Sequence, residues 1–307
     1  MRLAVYVAMA AILALAVLLR PAARGLRPKA AAILLAAGAF ITGLLWVACL
    51  GLVAFATIGR LGLAGAVGHW SAAVIQARNP VPLAAGLAGL AVLALVAISL
   101  LAALGGLSRE LRRVVPLVRL ARQHGAGDVA IIDHPVPEAM ALPGWHGSIL
   151  VTSGMLHCLR ADEQPVLLAH ERSHVRGRHW LFRLSCRVGA ALLPALRSTV
   201  PACDQALERW ADEDAAVVVG SRQLVATAIA RAALAASKRE ASPMLVPAIS
   251  DGAVVQRVEA MLAPSPRSRW GPAAVVALLV AVALTAAIDA ERDVERMFEL
   301  ARHLWLK

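Results

Sequence analysis

Residues 170–174 read His-Glu-Arg-Ser-His, within the run PVLLAHERSHVRGRHWLFRL. The spacing of the apolar residues predicts that residues 162–184 form a helix. On a helix, His170 and His174 lie one turn apart on the same face, where two neutral imidazoles can bind one Zn²⁺. Glu171 would then stand beside the metal and accept a proton from its water. The alternative is a helix that carries two unrelated surface histidines.

A second acidic segment lies downstream, in the run CDQALERWADED, for which a helix is predicted that starts near residue 198 and stops at Gly220. Glu208 and Asp212 are four residues apart and share one face of that helix. Catalytic zinc is held by three protein ligands and a water, and two histidines with one glutamate are a standard set. Glu208 could be the third ligand, and Asp212 could accept a hydrogen bond from the free ring nitrogen of a histidine. A solvated acidic face is the alternative.

These helices belong to the one large polar region of the sequence, residues 108–270, which has the size of a single domain. It begins with a basic amphipathic stretch, residues 108–127, expected to lie as a helix on a membrane surface. Two short β-like runs follow, Val129–Ile132 and Ser148–Thr152. The remainder reads as helical, so the region is predicted to be a mainly α domain with a small sheet.

The composition requires much of the chain to lie in lipid, since 59% of its residues are hydrophobic and only 17% are charged. Four apolar stretches approach or exceed the roughly 20 residues that cross a bilayer: Leu3–Leu19, Ala30–Ile58, Leu83–Leu107 and Gly271–Ile288. The first could instead be a secretory signal peptide, but the basic residues in the segment 20–24 argue against a cleavage site there.

The formal net charge of +11 is concentrated between the first two apolar stretches and after the third, whereas residues 59–82 hold only two arginines. By the positive-inside rule, this pattern predicts a multi-pass protein of the plasma membrane with residues 108–270 in the cytoplasm. The tail, residues 289–307, would lie outside. Charge placed in this way serves topology and contact with the lipid bilayer, so nucleic-acid binding is not expected.

Three segments together resemble the gluzincin membrane metallopeptidases: ALPGWHGSILVTSGML, HERSHVRGRHW and ERWADEDAA. Two branches are relevant, namely the HtpX and CAAX prenyl protease group and the β-lactam sensor-transducers of BlaR/MecR type. The resemblance covers residues 129–220. It implies that His170, His174 and Glu208 bind the metal, that Glu171 is the general base and that Asp212 supports a ligand.

The same resemblance implies further roles. His179 matches a histidine that follows the motif in some relatives and would support the site. The strand Ser148, Ile149, Leu150, Val151, Thr152 would be an edge strand that pairs with an extended substrate peptide. An ordinary core strand is the alternative, because apolar β-runs are common. A donor to the tetrahedral oxyanion is also needed. The one tyrosine, Tyr6, lies in the first apolar stretch, so His179 or Arg222 would have to serve.

The sequence therefore predicts four transmembrane helices with an α+β zincin-like cytoplasmic protease domain. Its function would be zinc-dependent endopeptidase action on a cytosolic or membrane-proximal protein, with one Zn²⁺ per chain and a zinc-activated water deprotonated by Glu171. A transcriptional repressor is one substrate that the sensor-transducer resemblance suggests, although only 19 residues follow Ile288, too few for a β-lactam-binding domain. A catalytically silent signalling or scaffold protein is the alternative function, and a transporter is a third hypothesis.

Overall fold

The computed structural model describes residues 2–144, 147–237, 251–265 and 267–306. Trp145 and His146, which belong to one of the three quoted segments, therefore lie outside the described residues. The N-terminal third of the chain is helical. Its helices are α1 Arg2–Ala23, α2 Pro28–Ile58, α3 Gly62–Gly68, α4 Ala72–Arg78 and α5 Leu83–His124.

The middle of the chain holds a small sheet followed by a group of shorter helices. The strands are β1 Gly125–Ala126, β2 Val129–Ile132, β3 Ala139–Leu142 and β4 Ser148–Thr152. The helices are α6 Ser153–Cys158, α7 Gln164–Arg176, α8 His179–Leu192, a 3₁₀ helix Pro194–Ser198, α9 Thr199–Val219, α10 Arg222–Ser237 and α11 Asp251–Leu262. The last helix is α12 Gly271–His303.

Four of these helices are long and apolar enough to cross a bilayer, by length and composition. The apolar stretches lie in α1, α2, α5 and α12. The prediction of a mainly α membrane protein with a small sheet in its central domain is confirmed.

Two of the apolar helices continue further than the sequence suggested. The basic stretch 108–127 does not begin a separate helix, because α5 runs without interruption to His124 and includes Pro116. No strong helix breaker stands at residues 107 and 108, so the helical backbone hydrogen bonds continue past them. In the same way, α12 runs on through most of the expected tail to His303.

The helix expected over residues 162–184 is in fact two helices, α7 and α8. The chain turns at Arg178, whose φ of 48° is left-handed and cannot belong to an α-helix. Gly177 precedes the turn, and a Cβ there would lie 2.6 Å from the ring of His179. Because of this turn, His179 folds back toward α7 instead of continuing along its axis.

The sheet has the order β1-β2-β4-β3. Strand β4 pairs in parallel with β2, and in antiparallel with β3, where Met140 lies opposite Leu150. The sequence did not predict β3, because the run Ala-Met-Ala-Leu is short and lacks the β-branched residues that mark strands.

The largest apolar core joins the central domain to the apolar helices. Side chains of α8 and α9, among them Cys186 and Leu207, are buried with residues of α1, α2 and α12. The domain is therefore packed directly against the helix bundle rather than tethered to it by a linker.

Candidate metal centre

Three side chains converge between α7 and α9. The Nε2 atoms of His170 and His174 are 3.2 Å apart. The carboxylate of Glu208 lies 3.4 Å from His170 Nε2 and 3.5 Å from His174 Nε2. Helix α7 supplies both histidines from one face, and α9 brings Glu208 to them. The three side chains form a triangle in which Oε2 of Glu208 faces His170 and Oε1 faces His174.

The size of this triangle fits zinc. A tetrahedral Zn²⁺ with bonds of about 2.0–2.1 Å holds its ligand atoms about 3.3 Å apart. The separation of the two Nε2 atoms lies within a few tenths of an ångström of that value, and each Nε2 atom has one carboxylate oxygen of Glu208 at a similar distance. Two imidazoles and one carboxylate are also a donor set typical of catalytic zinc. The residues present could therefore hold this metal.

His170 is oriented from behind by Asp212. Its Nδ1 lies 3.0 Å from a carboxylate oxygen of Asp212, which is fully buried. This contact leaves Nε2 directed into the triangle. Burial alone would lower the pKa of His170, but its hydrogen bonds to Asp212 and Glu208 raise this pKa to about 10. The carboxylates thus favour a positive charge at this position, and a bound divalent cation would take the place of the proton.

His174 is oriented in the same way by His179, through an Nδ1–Nδ1 contact of 2.6 Å. Burial, followed by the charge of His174, lowers the pKa of His179 to about 3. His179 is therefore neutral, and the two Nδ1 atoms share one hydrogen bond. If His174 bound a metal through Nε2, its Nδ1–H would donate this hydrogen bond to Nδ1 of His179. The His179 ring is itself fixed against Trp210, with 4.5 Å between ring centroids.

The third ligand candidate, Glu208, is held by two arginines. Arg183 donates to it at 2.8 Å, and Arg257 Nη1 lies 3.3 Å from its other oxygen. Burial raises the pKa of Glu208, but hydrogen bonds from His170 and His174 hold this pKa well below its usual range. Glu208 is therefore a charged carboxylate, as a metal ligand must be.

Arg257 was not predicted from the sequence, yet it contacts both acidic residues of the site. From α11 it donates two hydrogen bonds to Asp212, of 2.8 and 2.6 Å, in the bidentate geometry typical of arginine. The two residues are 45 positions apart. Because α11 is an ordinary amphipathic helix in the sequence, no local signal marks Arg257.

Glu171 lies between the two histidines in sequence and is buried. Two neighbours on α7 anchor the helix that carries it. Arg172 forms two hydrogen bonds with Asp128 at the start of the sheet, and Ser173 donates a 2.6 Å hydrogen bond to Asp214 on α9. The two motif positions that do not belong to the metal site thus fix α7 against its surroundings.

Two expectations about the site are wrong. Strand β4, Ser148–Thr152, is not an edge strand, because β2 and β3 cover both of its edges. Three of its five residues, Ile149, Leu150 and Val151, are fully apolar and buried, as is typical of an inner strand. The terminal strand on this side of the sheet is β3, which lies next to α7.

Arg222 is also not available as an oxyanion donor. Its guanidinium donates to Glu213 at 2.6 Å and to the carbonyls of Ala260 and Met261 at the end of α11. These bonds tie α9 and α10 to α11, so Arg222 has a structural role.

Part of the chain matches a known family of peptidases. Residues 103–242 match the family described as peptidase family M48. The matched residues include the sheet, the helices α6 to α10 and, within them, His170, His174 and Glu208. Arg257 and α11 lie beyond the matched residues.

Two curated relatives have the name Protease HtpX homolog. The protein from Caldanaerobacter subterraneus subsp. tengcongensis is 34% identical over 89 residues, which are 28% of this chain and 30% of the relative. The protein from Pyrococcus abyssi is 38% identical over 82 residues, 25% of this chain and 28% of the relative. The matches thus span less than a third of either relative. No solved structure shows a significant match to the chain.

Proposed function

We propose that the chain is an integral-membrane zinc endopeptidase. The observation that carries this proposal is the convergence of His170, His174 and Glu208, whose nitrogen and oxygen atoms approach one another to 3.2–3.5 Å, close to the separations between the ligands of a tetrahedral zinc. The M48 match and the two HtpX relatives support the reaction class. The metal, the general base and the membrane orientation belong to the proposal.

Each residue of the centre has a distinct part in peptide hydrolysis. Bound zinc would lower the pKa of a coordinated water and polarise the scissile carbonyl. Glu171 would take the proton from the attacking water and deliver it to the leaving amine. Asp212 and His179 keep the Nε2 atoms of His170 and His174 in place, since each binds the opposite ring nitrogen.

Arg183 is the donor that we assign to the developing oxyanion, in place of Arg222. Its Nη2 already lies 2.8 Å from Glu208, at the edge of the metal triangle. Its side chain is 36% exposed, so a substrate carbonyl can approach it. A guanidinium remains charged at every relevant pH and offers several donors.

The substrate backbone would pair with β3 rather than β4. The amide of Thr152 donates to the carbonyl of Glu138, so these residues form a hydrogen-bonded pair of the antiparallel ladder. Hydrogen-bonded and non-hydrogen-bonded pairs alternate along an antiparallel ladder. Ala139 and Ala141 therefore belong to non-hydrogen-bonded pairs, and their backbone N–H and C=O groups point away from β4. These groups can receive an extended peptide by strand addition beside α7.

We expect Ala141→Pro to lower kcat/KM for a peptide substrate at least about tenfold, because proline removes the outward amide that the substrate would use. The β3–β4 ladder does not use this amide, so Tm and zinc content should change little. Ala141→Ser keeps the amide and is the matched control. Wild-type kinetics for Ala141→Pro would place the substrate elsewhere.

The site would face the cytoplasm from the plasma membrane, by the positive-inside pattern of the basic segments. Lys29, at the start of α2, lies 5.1 Å from the ring of Trp210, which packs on His179. A lysine at the end of an apolar helix typically marks the membrane boundary. The metal centre would therefore lie close to the bilayer surface and act on cytosolic or membrane-proximal protein.

The proposed activity is tested with purified full-length protein and an unfolded protein substrate such as casein. We expect cleavage to stop after zinc is removed by a chelator and to return when about one equivalent of zinc is restored. Cleavage that survives complete metal removal would contradict the proposal.

A further inference from the structure

The 3₁₀ helix joins α8 and α9 into a hairpin that packs along the middle of α2. At the crossing of α8 with α2, a Cβ on Gly43 would lie 3.1 Å from the Cα of Gly189. Nearer the tip of the hairpin, Leu192 is buried together with Leu50 of α2 and Val96 of α5. The tip of the hairpin therefore contacts two of the apolar helices far from their ends.

Helix geometry gives the depth of this tip. The base of the hairpin lies beside the start of α2, where Lys29 contacts Trp210. With a rise of 1.5 Å per residue, Gly43 is about 21 Å further along α2, and Leu192 is about 20 Å along α8 from His179. If α2 and α5 cross a bilayer of roughly 30 Å, the tip reaches its middle.

The exposed surface of the hairpin carries several charged and polar side chains. Arg187 on α8 pairs with Glu110 on α5 at 2.6 Å, and both side chains are about half exposed. Closer to the metal centre, Arg183 pairs with Asp204 at 3.2 Å. At the tip, Arg197 and Ser198 are exposed, as are the neighbouring Pro194 and Ala195.

Such a face is incompatible with direct contact to acyl chains. A charged side chain in the middle of a bilayer is costly, and membrane proteins place such groups against each other or beside a water-filled cavity. The outer surface of α5 at the same depth provides the contrast, since Leu95, Ile98 and Leu101 are exposed and apolar. One side of this part of the molecule suits lipid, and the other suits water.

We infer that α8 and α9 form a re-entrant hairpin whose polar face lines a water-filled recess. The recess runs from the metal centre toward the middle of the bilayer, along the exposed face of the hairpin and beside its contact with α5. It admits water and small ions to a depth of about 15–20 Å beyond the metal centre. This inference depends on α2 and α5 crossing the membrane and not on the proposed peptidase activity.

The recess is tested by cysteine accessibility in the full-length protein, reconstituted in sealed vesicles. Cys158→Ser provides the background, since the other three native cysteines are buried. Ser198→Cys reports on the tip, and Ile98→Cys reports on the lipid face at the same depth. Val217→Cys, at an exposed position on the metal-centre end of α9, shows which side of the vesicle that end faces.

We expect a charged, membrane-impermeant methanethiosulfonate to modify Ser198→Cys at least about tenfold faster than Ile98→Cys, because such reagents need water. The modification should occur only from the side that also modifies Val217→Cys. If Ser198→Cys is as unreactive as Ile98→Cys from both sides, or reacts from the opposite side, the recess does not exist. If Ile98→Cys reacts as fast as Val217→Cys, this level lies outside the bilayer and the inference also fails.

Discussion

Glu171→Gln is expected to bind zinc like the wild-type protein and to lose about 10²–10⁴-fold in kcat. Glutamine has nearly the same shape as glutamate but cannot accept a proton from the attacking water or return it to the leaving amine. The ligand candidates His170, His174 and Glu208 are unchanged in this variant. The measurement pairs the zinc content of the purified protein with its rate of casein cleavage.

The matched control is Glu259→Gln, because Glu259 is an exposed glutamate on α11. This variant should keep both zinc and activity. If Glu171→Gln cleaves the substrate at the wild-type rate, Glu171 is not the base, although the metal assignment would stand. If it loses zinc as well as activity, its role in the site is structural.

The second large effect is expected for Arg257→Met. This change removes the bidentate partner of Asp212, which has no exposed surface, and would leave a buried carboxylate without its compensating charge. Breaking a buried ion pair in this way typically costs about 3–5 kcal/mol of unfolding free energy. Since Asp212 orients His170, we also expect zinc affinity to fall about 10–100-fold.

Unfolding in detergent micelles and zinc competition with a fluorescent chelator measure the two effects separately. Arg257→Lys should restore part of the stability but less of the affinity, because an ammonium group cannot span both oxygens of Asp212. Arg292→Met is the control, since the pair of Arg292 with Asp289 is exposed and should contribute little. Equal stability and zinc affinity in Arg257→Met and Arg292→Met would contradict the role of Arg257.

Local sequence periodicity was sufficient to predict the two helices on which paired site residues lie one turn apart. The shared face of His170 and His174 was predicted from their spacing of four residues on α7. The shared face of Glu208 and Asp212 was predicted from the same spacing on α9. The four apolar helices were equally clear, since length and composition alone define them. In these cases the information lies within a few consecutive residues.

The features that were predicted wrongly, or not at all, depend on contacts between residues that are far apart in the sequence. The position of β4 inside the sheet follows from its pairing with β3, a strand that its own residues do not signal. Arg257 reaches Asp212 from another helix, and only the packing of α11 on α9 brings them together. The turn at Arg178 was missed because apolar residues continue at helical spacing on both sides of it.

The central claim, that this chain holds one zinc ion between α7 and α9, is tested most directly by metal analysis. Full-length protein is purified without chelators and its metal content is measured by mass spectrometry alongside a His170→Ala, His174→Ala double variant. We predict about one zinc per wild-type chain and essentially none in the double variant. Wild-type protein without zinc, or equal zinc in both proteins, would contradict the account.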